Sequence, residues 1–216
     1  MVFPKALYKY TKLRHATSMI NKGEIRIGTL HDWRNVDIHD LEIGDKEEGT
    51  QTTIMRGLPI QLGTVDSGVP TITRMQQSGR LVGSGTLIVQ NQIFETMNDV
   101  FGFCFSTNKF DLDQWNEKAG YDTLIEIFDP QLFLHAITNK LAQDHHAKEF
   151  SFQDIKYFER TQEVQNQTKT HPFFVKDPRH DWQKEFRAVW QPAEEFPDIR
   201  PVRLVIPQIR DFIRII

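Results

Sequence analysis

Cysteine is nearly absent: Cys104 is the one cysteine in 216 residues. A lone thiol excludes an intrachain disulfide and any cysteine-rich zinc site, and it makes a reducing, cytoplasmic compartment the expectation. No run approaches the roughly 20 apolar residues that a membrane-spanning helix needs, so no membrane partner is expected. Met1-Val2-Phe3-Pro4-Lys5 has neither the basic start nor the apolar stretch of a secretory leader. Nor is there a surplus of one charge, since 26 basic residues face 29 acidic ones for a formal net of −3. That balance gives no global attraction to nucleic acid, though it leaves room for a local basic patch. Also missing are a phosphate-binding glycine loop, a dinucleotide fingerprint and a Gly-x-Ser-x-Gly elbow. What remains is an ordinary globular composition, 39% hydrophobic and 25% charged, with length enough for one sizeable core.

Alternation and capping mark out an α+β chain. Leu7–Thr11 is a short aromatic, alternating run, the pattern of a strand. Leu13, Ala16, Met19 and Ile20 recur at helical spacing, and Asn21-Lys22-Gly23 supplies a stop with glycine past the last turn. Glu24–Gly28 alternates again. An acidic loop runs from Asp32 to Glu48. Between Thr50 and Gln92, polar residues dominate, and turn signals such as Asp66-Ser67-Gly68 and Gly83-Ser84-Gly85 separate short apolar runs. This predicts β-hairpins inserted over about residues 50–92. Phe101–Phe105 reads as a buried strand, followed by a short helix with Trp115 and the strand Thr123–Phe128. Asp129-Pro130 opens the clearest helix, with Leu132, Phe133, Ala136, Ile137 and Leu141 as its apolar stripe. Ile155–Phe158, Glu185–Trp190 and short strands near Val205 and Ile213 complete the order. The expectation is a single domain over residues 1–216, with two packed β-sheets and flanking helices.

Eight histidines invite a metal reading. His145 and His146 are adjacent at a helix end and point about 100° apart, which suits one ligand at most. No carboxylate–histidine pair has metalloprotease spacing, so solvated or capping histidines and no metal are expected. Asp37, Asp45 and Glu48 keep a metal-dependent nuclease as an alternative. Cys104, in an aromatic strand, reads as a small inert hydrophobe.

Three places stand out instead: Tyr8-Lys9-Tyr10-Thr11 with the helix that ends in Gly23, the strand Phe103-Cys104-Phe105-Ser106-Thr107, and Gln183-Lys184-Glu185 opening a late strand. In that order they resemble the ADP-ribosyltransferase superfamily, whose members carry a basic residue on the first strand, Ser-Thr-Ser or Tyr on a central strand and Gln-x-Glu at the edge of a later one. The layout is also similar to a poorly characterised bacterial family with YKY, GDxxEG, CFS and QxExR signatures. These stand here as Tyr8-Lys9-Tyr10, Gly44–Gly49, Cys104-Phe105-Ser106 and Gln183–Arg187.

The first resemblance implies an NAD-dependent enzyme that transfers ADP-ribose to a macromolecule (RNA, DNA or protein) in a bacterial toxin or phage-defence setting, with an antitoxin among the candidate partners. Such transfer breaks the nicotinamide–ribose bond through a cation-like sugar, as glycoside cleavage does. Glu185 is the implied stabiliser of that cation, and Gln183 orients the acceptor nucleophile. Lys9 pairs with the NAD phosphates, although a lysine lacks the bidentate fork of the usual arginine. Ser106 and Thr107 bind ribose or the carboxylate, and Tyr10, Trp115 or Trp33 stacks on nicotinamide. Trp182 and Arg179, in the loop before Gln183, contact the acceptor. His171, Lys176, Arg179 and His180 read as a basic edge that admits nucleic acid. The alternative of a different class is a non-catalytic binding or regulatory protein with the same fold. On the bland reading, Glu185 and Arg187 are an exposed ladder pair.

Overall fold

The computed structural model describes residues 4–35, 44–54, 58–62, 69–89, 92–96, 100–109, 111–163, 166, 169–193 and 199–216. The aromatic alternation at the start becomes strand β1 (Leu7–Thr11). Helix α1 (Leu13–Lys22) ends on Gly23 at φ 68°, where the Gly23 N–H donates to the Met19 carbonyl. A Cβ at Gly23 would sit 2.2 Å from the Ile206 carbonyl oxygen, so both backbone angle and space favour glycine there. Ala16 and Met19 are buried, but Leu13 is exposed; the apolar stripe begins one turn later than its spacing suggests. Strand β2 (Glu24–Thr29) runs into a one-turn helix α2 (Leu30–Trp33), capped by the Thr29 hydroxyl.

The polar region folds as a nested pair of ladders. Strands β3 (Thr50–Ile54) and β6 (Gln92–Thr96) pair antiparallel, as do β4 (Leu58–Leu62) and β5 (Gly85–Val89). Helix α3 (Pro70–Gln77) lies between β4 and β5 in the chain, an element the hairpin reading does not contain. Its signal is Pro70 at the first helical position.

The second half supplies the long strands. β7 (Phe101–Ser106) is followed by α4 (Leu112–Ala119), β8 (Thr123–Ile127) and α5 (Pro130–His145). The Asp129 carboxylate accepts the Leu132 N–H at the α5 N-terminus, as a cap should. Phe133, Leu134, Ile137 and Leu141 are its buried residues, while Leu132 is exposed. Then come β9 (Ala147–Asp154), β10 (Lys156–Tyr157), β11 (Thr161–Glu163), a 3-10 turn (Pro172–Phe174), β12 (Val175–Lys176), a second 3-10 turn (Pro178–Gln183) and β13 (Glu185–Pro192). β14 (Val202–Val205) and β15 (Ile213–Ile215) close the order.

The class is α+β. Among the described strands, one eight-stranded antiparallel sheet dominates, in the order β14-β2-β7-β1-β8-β15, with β13 on β7 and β9 on β13. Small sheets join β10 to β12 and β11 to β3 in parallel. The main core fills one face of the large sheet with Phe103, Phe105, Phe186, Ala188 and Trp190, under α5 residues such as Phe133 and Ile137. A fully buried side chain of this size contributes roughly 1.5–3 kcal/mol. No helix among the described residues is long and apolar enough to cross a membrane.

Two registers position the polar face of this sheet. β13 lies along the whole of β7, pairing Glu185 with Ser106 and Arg187 with Cys104. The other edge of β7 is shared: β2 pairs at Phe101 and Gly102, and β1 pairs at Ser106. Between those pairings the sheet opens at Phe103–Phe105.

Candidate functional site

Side chains alternate across a strand, so the face opposite the aromatic core collects every second residue. On β13 these are Glu185 and Arg187, on β7 Gly102, Cys104 and Ser106, on β1 Tyr8 and Tyr10, and on β2 Arg26 and Gly28. They line a cleft of about 160 Å³ together with Lys9, Trp33, Glu48, Trp115, Tyr121, Lys176 and Gln183. A cavity of roughly 150 Å³ holds one six-membered ring; this one therefore takes a single ring, with anything longer reaching out of it.

Charge at the floor is buried and paired. Glu185 is 4% exposed, Lys176 4% and Arg187 0%, which overturns the exposed ladder pair. Arg187 donates from Nε and Nη2 to Glu185 Oε1, each at 2.7 Å. Lys176 Nζ donates to Glu185 Oε2 at 3.0 Å and to Gln183 Oε1 at 2.7 Å. Burial alone would raise the Glu185 carboxyl, but the Arg187 guanidinium and the Lys176 ammonium outweigh it and hold it well below the usual carboxylate range. The Glu185 N–H donates to the Tyr157 hydroxyl at 2.7 Å, fixing the start of β13.

A second layer lies behind. Arg187 Nη1 also donates to Glu48 Oε1 at 2.8 Å and to the Phe173 carbonyl at 2.6 Å. Arg160 grips Asp45 through both terminal nitrogens, at 3.0 and 2.7 Å. Against the opposing effect of burial, that pairing keeps Asp45 at about 2. Three buried cations thus meet three buried carboxylates, the condition under which buried charge is tolerated. Asp45 and Glu48, the nuclease candidates, are taken up by guanidinium groups. Asp37 lies outside the described residues, and among the described residues no three His, Cys, Asp or Glu side chains group as metal ligands.

Lys9 sits in the opening of the sheet. Its Nζ donates to the Cys104 carbonyl at 2.9 Å and lies 4.9 Å from the centre of the Phe103 ring. Burial lowers its pKa, and Cys104 and Glu185 only partly oppose this. A second cavity of about 390 Å³ shares Lys9, Arg26 and Phe103 with the first and adds Arg14, His15 and Arg203, with Glu24 as its acidic member. Burial also pushes the Cys104 thiol up to about 12, and the thiol lies in the cleft beside the Glu185 carboxylate.

Aromatic rings form the cleft wall. Tyr10 stacks on Trp115 with centroids 4.9 Å apart, and Trp115 stacks on Tyr121 at 5.7 Å. The Tyr10 hydroxyl donates to the Asn108 carbonyl at 2.7 Å. Trp33 lines the cleft from the other side: its ring packs on Gly102, where a Cβ would lie 2.2 Å away, and the Arg187 guanidinium lies 4.8 Å from the ring centre.

Of the residues singled out from sequence for the transfer, the structure brings Glu185, Gln183, Lys9, Tyr10, Ser106, Trp115 and Trp33 together. It leaves three outside. Thr107 is exposed, and its hydroxyl donates to the Lys184 carbonyl at 3.2 Å. Arg179 is exposed, with Nε donating to His180 Nε2 at 3.0 Å. Trp182 is half-buried against Trp115 at 4.6 Å. The expected basic edge is not a surface, because Lys176 and His180 are both buried. Sequence reasoning gave Lys176 to a basic edge, Glu48 to a nuclease and Arg187 to an exposed ladder pair, and it passed over Arg26 altogether. Arg187 was findable, since it shares the Glu185 face by strand parity; nothing local marks Lys176.

Compared with protein families, curated proteins and solved structures, the chain matches none.

Proposed function

We propose that this protein is an NAD-dependent ADP-ribosyltransferase acting on a macromolecule. The observation that carries the reading is the meeting of Lys9, Ser106 and Glu185, from three different strands, in one cleft. A basic residue on the first strand, a serine on a central strand and Gln-x-Glu at the start of a later strand are the set the superfamily resemblance implies. The ring-sized cleft suits nicotinamide against the Tyr10–Trp115 wall. The adjoining basic cavity, with Lys9, Arg14, Arg26 and Arg203, suits the diphosphate and the rest of the dinucleotide.

In the transfer, the C1′–nitrogen bond of the nicotinamide ribose breaks and its electron pair leaves with nicotinamide. The acceptor nucleophile forms the new bond to C1′ and loses its proton to solvent. Glu185, held ionised, stabilises the positive charge that develops on the ribose. It does not serve as a base, because two cations depress its proton affinity. The macromolecular acceptor, the toxin or defence setting and an antitoxin partner belong to the same proposal.

A second reading has its own observation: both Glu185 oxygens already have cationic partners, as in a cleft that binds an anionic ligand without chemistry. One experiment separates the two. Purified protein is incubated with NAD labelled on the adenylate half, with and without cell lysate. Label transfer or nicotinamide release supports the transferase. A thermal shift with NAD but no turnover supports the binding protein, and neither effect removes NAD from both.

A further inference from the structure

We propose that Lys176 is a positioning residue for the transfer inferred above: its one ammonium group bridges Gln183 and Glu185 and fixes both side chains for chemistry in the cleft. The inference rests on the transferase reading for its consequence, and on geometry for its existence. Gln183 ends a 3-10 turn and Glu185 begins β13, with Lys184 between them in the left-handed conformation at φ 43°. Nothing in that backbone sets the two side-chain torsions relative to each other. Lys176 does so from a separate element, the two-residue strand β12, with contacts of 2.7 and 3.0 Å. The stem of Lys176 is buried, so the ammonium has little freedom to leave.

The bridge acts on the cleft in two ways. An amide has one acceptor and one donor end. With Gln183 Oε1 turned to Lys176, its Nε2 turns to the other side, 3.5 Å from His180 Nδ1, and Lys176 thereby selects which end meets an incoming group. Lys176 also occupies the Glu185 oxygen that Arg187 does not hold, so the carboxylate plane cannot rotate. The charged and titratable groups facing Glu185 are Arg187 on its own strand, Lys176 on β12, Cys104 on β7, Tyr157 on β10 and Lys9 on β1, with Glu48 beyond Arg187. Lys176 thus contacts the carboxylate and Gln183 with the same ammonium group.

The test compares Lys176→Met, which keeps the stem and removes the charge, with Lys176→Arg. Both are measured for NAD turnover from pH 5 to 8, for melting temperature and for the Gln183 side-chain amide resonance by ¹⁵N NMR. For Lys176→Met the expected kcat falls roughly tenfold to a hundredfold, as for a misplaced reacting group. KM for NAD should stay within about threefold, an acid limb should appear, and the Gln183 amide should move from its wild-type shift. Lys176→Arg should restore the wild-type profile. A Lys176→Met protein with an unmoved Gln183 amide, or with wild-type kcat and pH profile, overturns the proposal. If the wild-type protein turns over no NAD at any pH, the transferase reading has failed; the Gln183 resonance still decides whether the clamp exists.

Discussion

At the scale of single residues, the electrostatics of Glu185 decide what its replacement does. On a solvated face, Glu185→Gln would change stability by no more than about 0.5 kcal/mol. The carboxylate is instead buried between Arg187 and Lys176, and taking one partner from a buried pair costs about 3–5 kcal/mol. Glu48 still holds Arg187, which favours the lower end. We therefore expect Glu185→Gln to lower the melting temperature by roughly 6–12 °C for a chain of this length. Measured on the folded protein at low temperature, NAD turnover should fall by about 100-fold as well, because the same charge faces the ribose. A melting temperature within about 2 °C of wild type would show that Glu185 is not held by this network. Depressed activity at unchanged NAD affinity would then have to arise without the ion pairs.

At the scale of elements, legibility depends on whether the signal is local. The Asp129-Pro130 start of α5 and the Gly23 stop of α1 depend on backbone groups a few residues away, so sequence suffices for them. The 147–154 strand escapes a sequence reading, because what makes it a strand is a long antiparallel ladder to β13, pairing Phe152 with Ala188 and Phe150 with Trp190. Likewise Lys176 looks like a surface lysine until β12 carries it beneath Glu185. Tyr8, Tyr10 and Glu185 are legible by parity, whereas the gap that admits Lys9 exists only once β1 and β2 share one edge of β7. The 3-10 turn before β12 carries a pH dependence of its own. His171 caps it, with Nδ1 accepting the Phe173 N–H at 3.4 Å. Burial, reinforced by Arg74, pushes its pKa from 6.5 down to about 4. The unfolded chain therefore binds more protons between those values. Stability is fully present above about pH 6.5 and is lost as the pH falls towards 4. Asp45 acts lower, between its ordinary 3.8 and about 2. Urea midpoints taken from pH 7.5 to 4.5 should fall, and His171→Asn, which retains a capping oxygen, should flatten the slope. An unchanged slope in the variant would assign the loss to other groups.

At the scale of the whole molecule, the nested ladders of residues 50–96 are joined to the cleft by charge as much as by strand pairing. β3 pairs with β11, and the turn just before it places Asp45 on Arg160 and Glu48 on Arg187. The far end of the unit is different. From Gln77 to Thr86 almost every residue is exposed, with Val82 at 85%, and Gly79, Gly83 and Gly85 have positive φ. A protease needs an extended, accessible segment of several residues, and this stretch offers one with Arg80 inside it. Dilute trypsin should therefore cut after Arg80 before it cuts the α5 helix or the β9 strand, whose backbones are hydrogen-bonded along their length. The two pieces should then stay together, because β3–β6 and β4–β5 each pair strands from opposite sides of the cut, and the ion pairs to Arg160 and Arg187 tie the first piece to the second. Size exclusion should show one nicked species with the retention of the intact chain, separating only in denaturant. First cleavage within residues 123–160 would contradict this layout. Separation of the pieces in native buffer would show instead that the ladders and the buried ion pairs do not hold the cleft's second layer in place, and the fixed Arg187 that orients Glu185 would go with them.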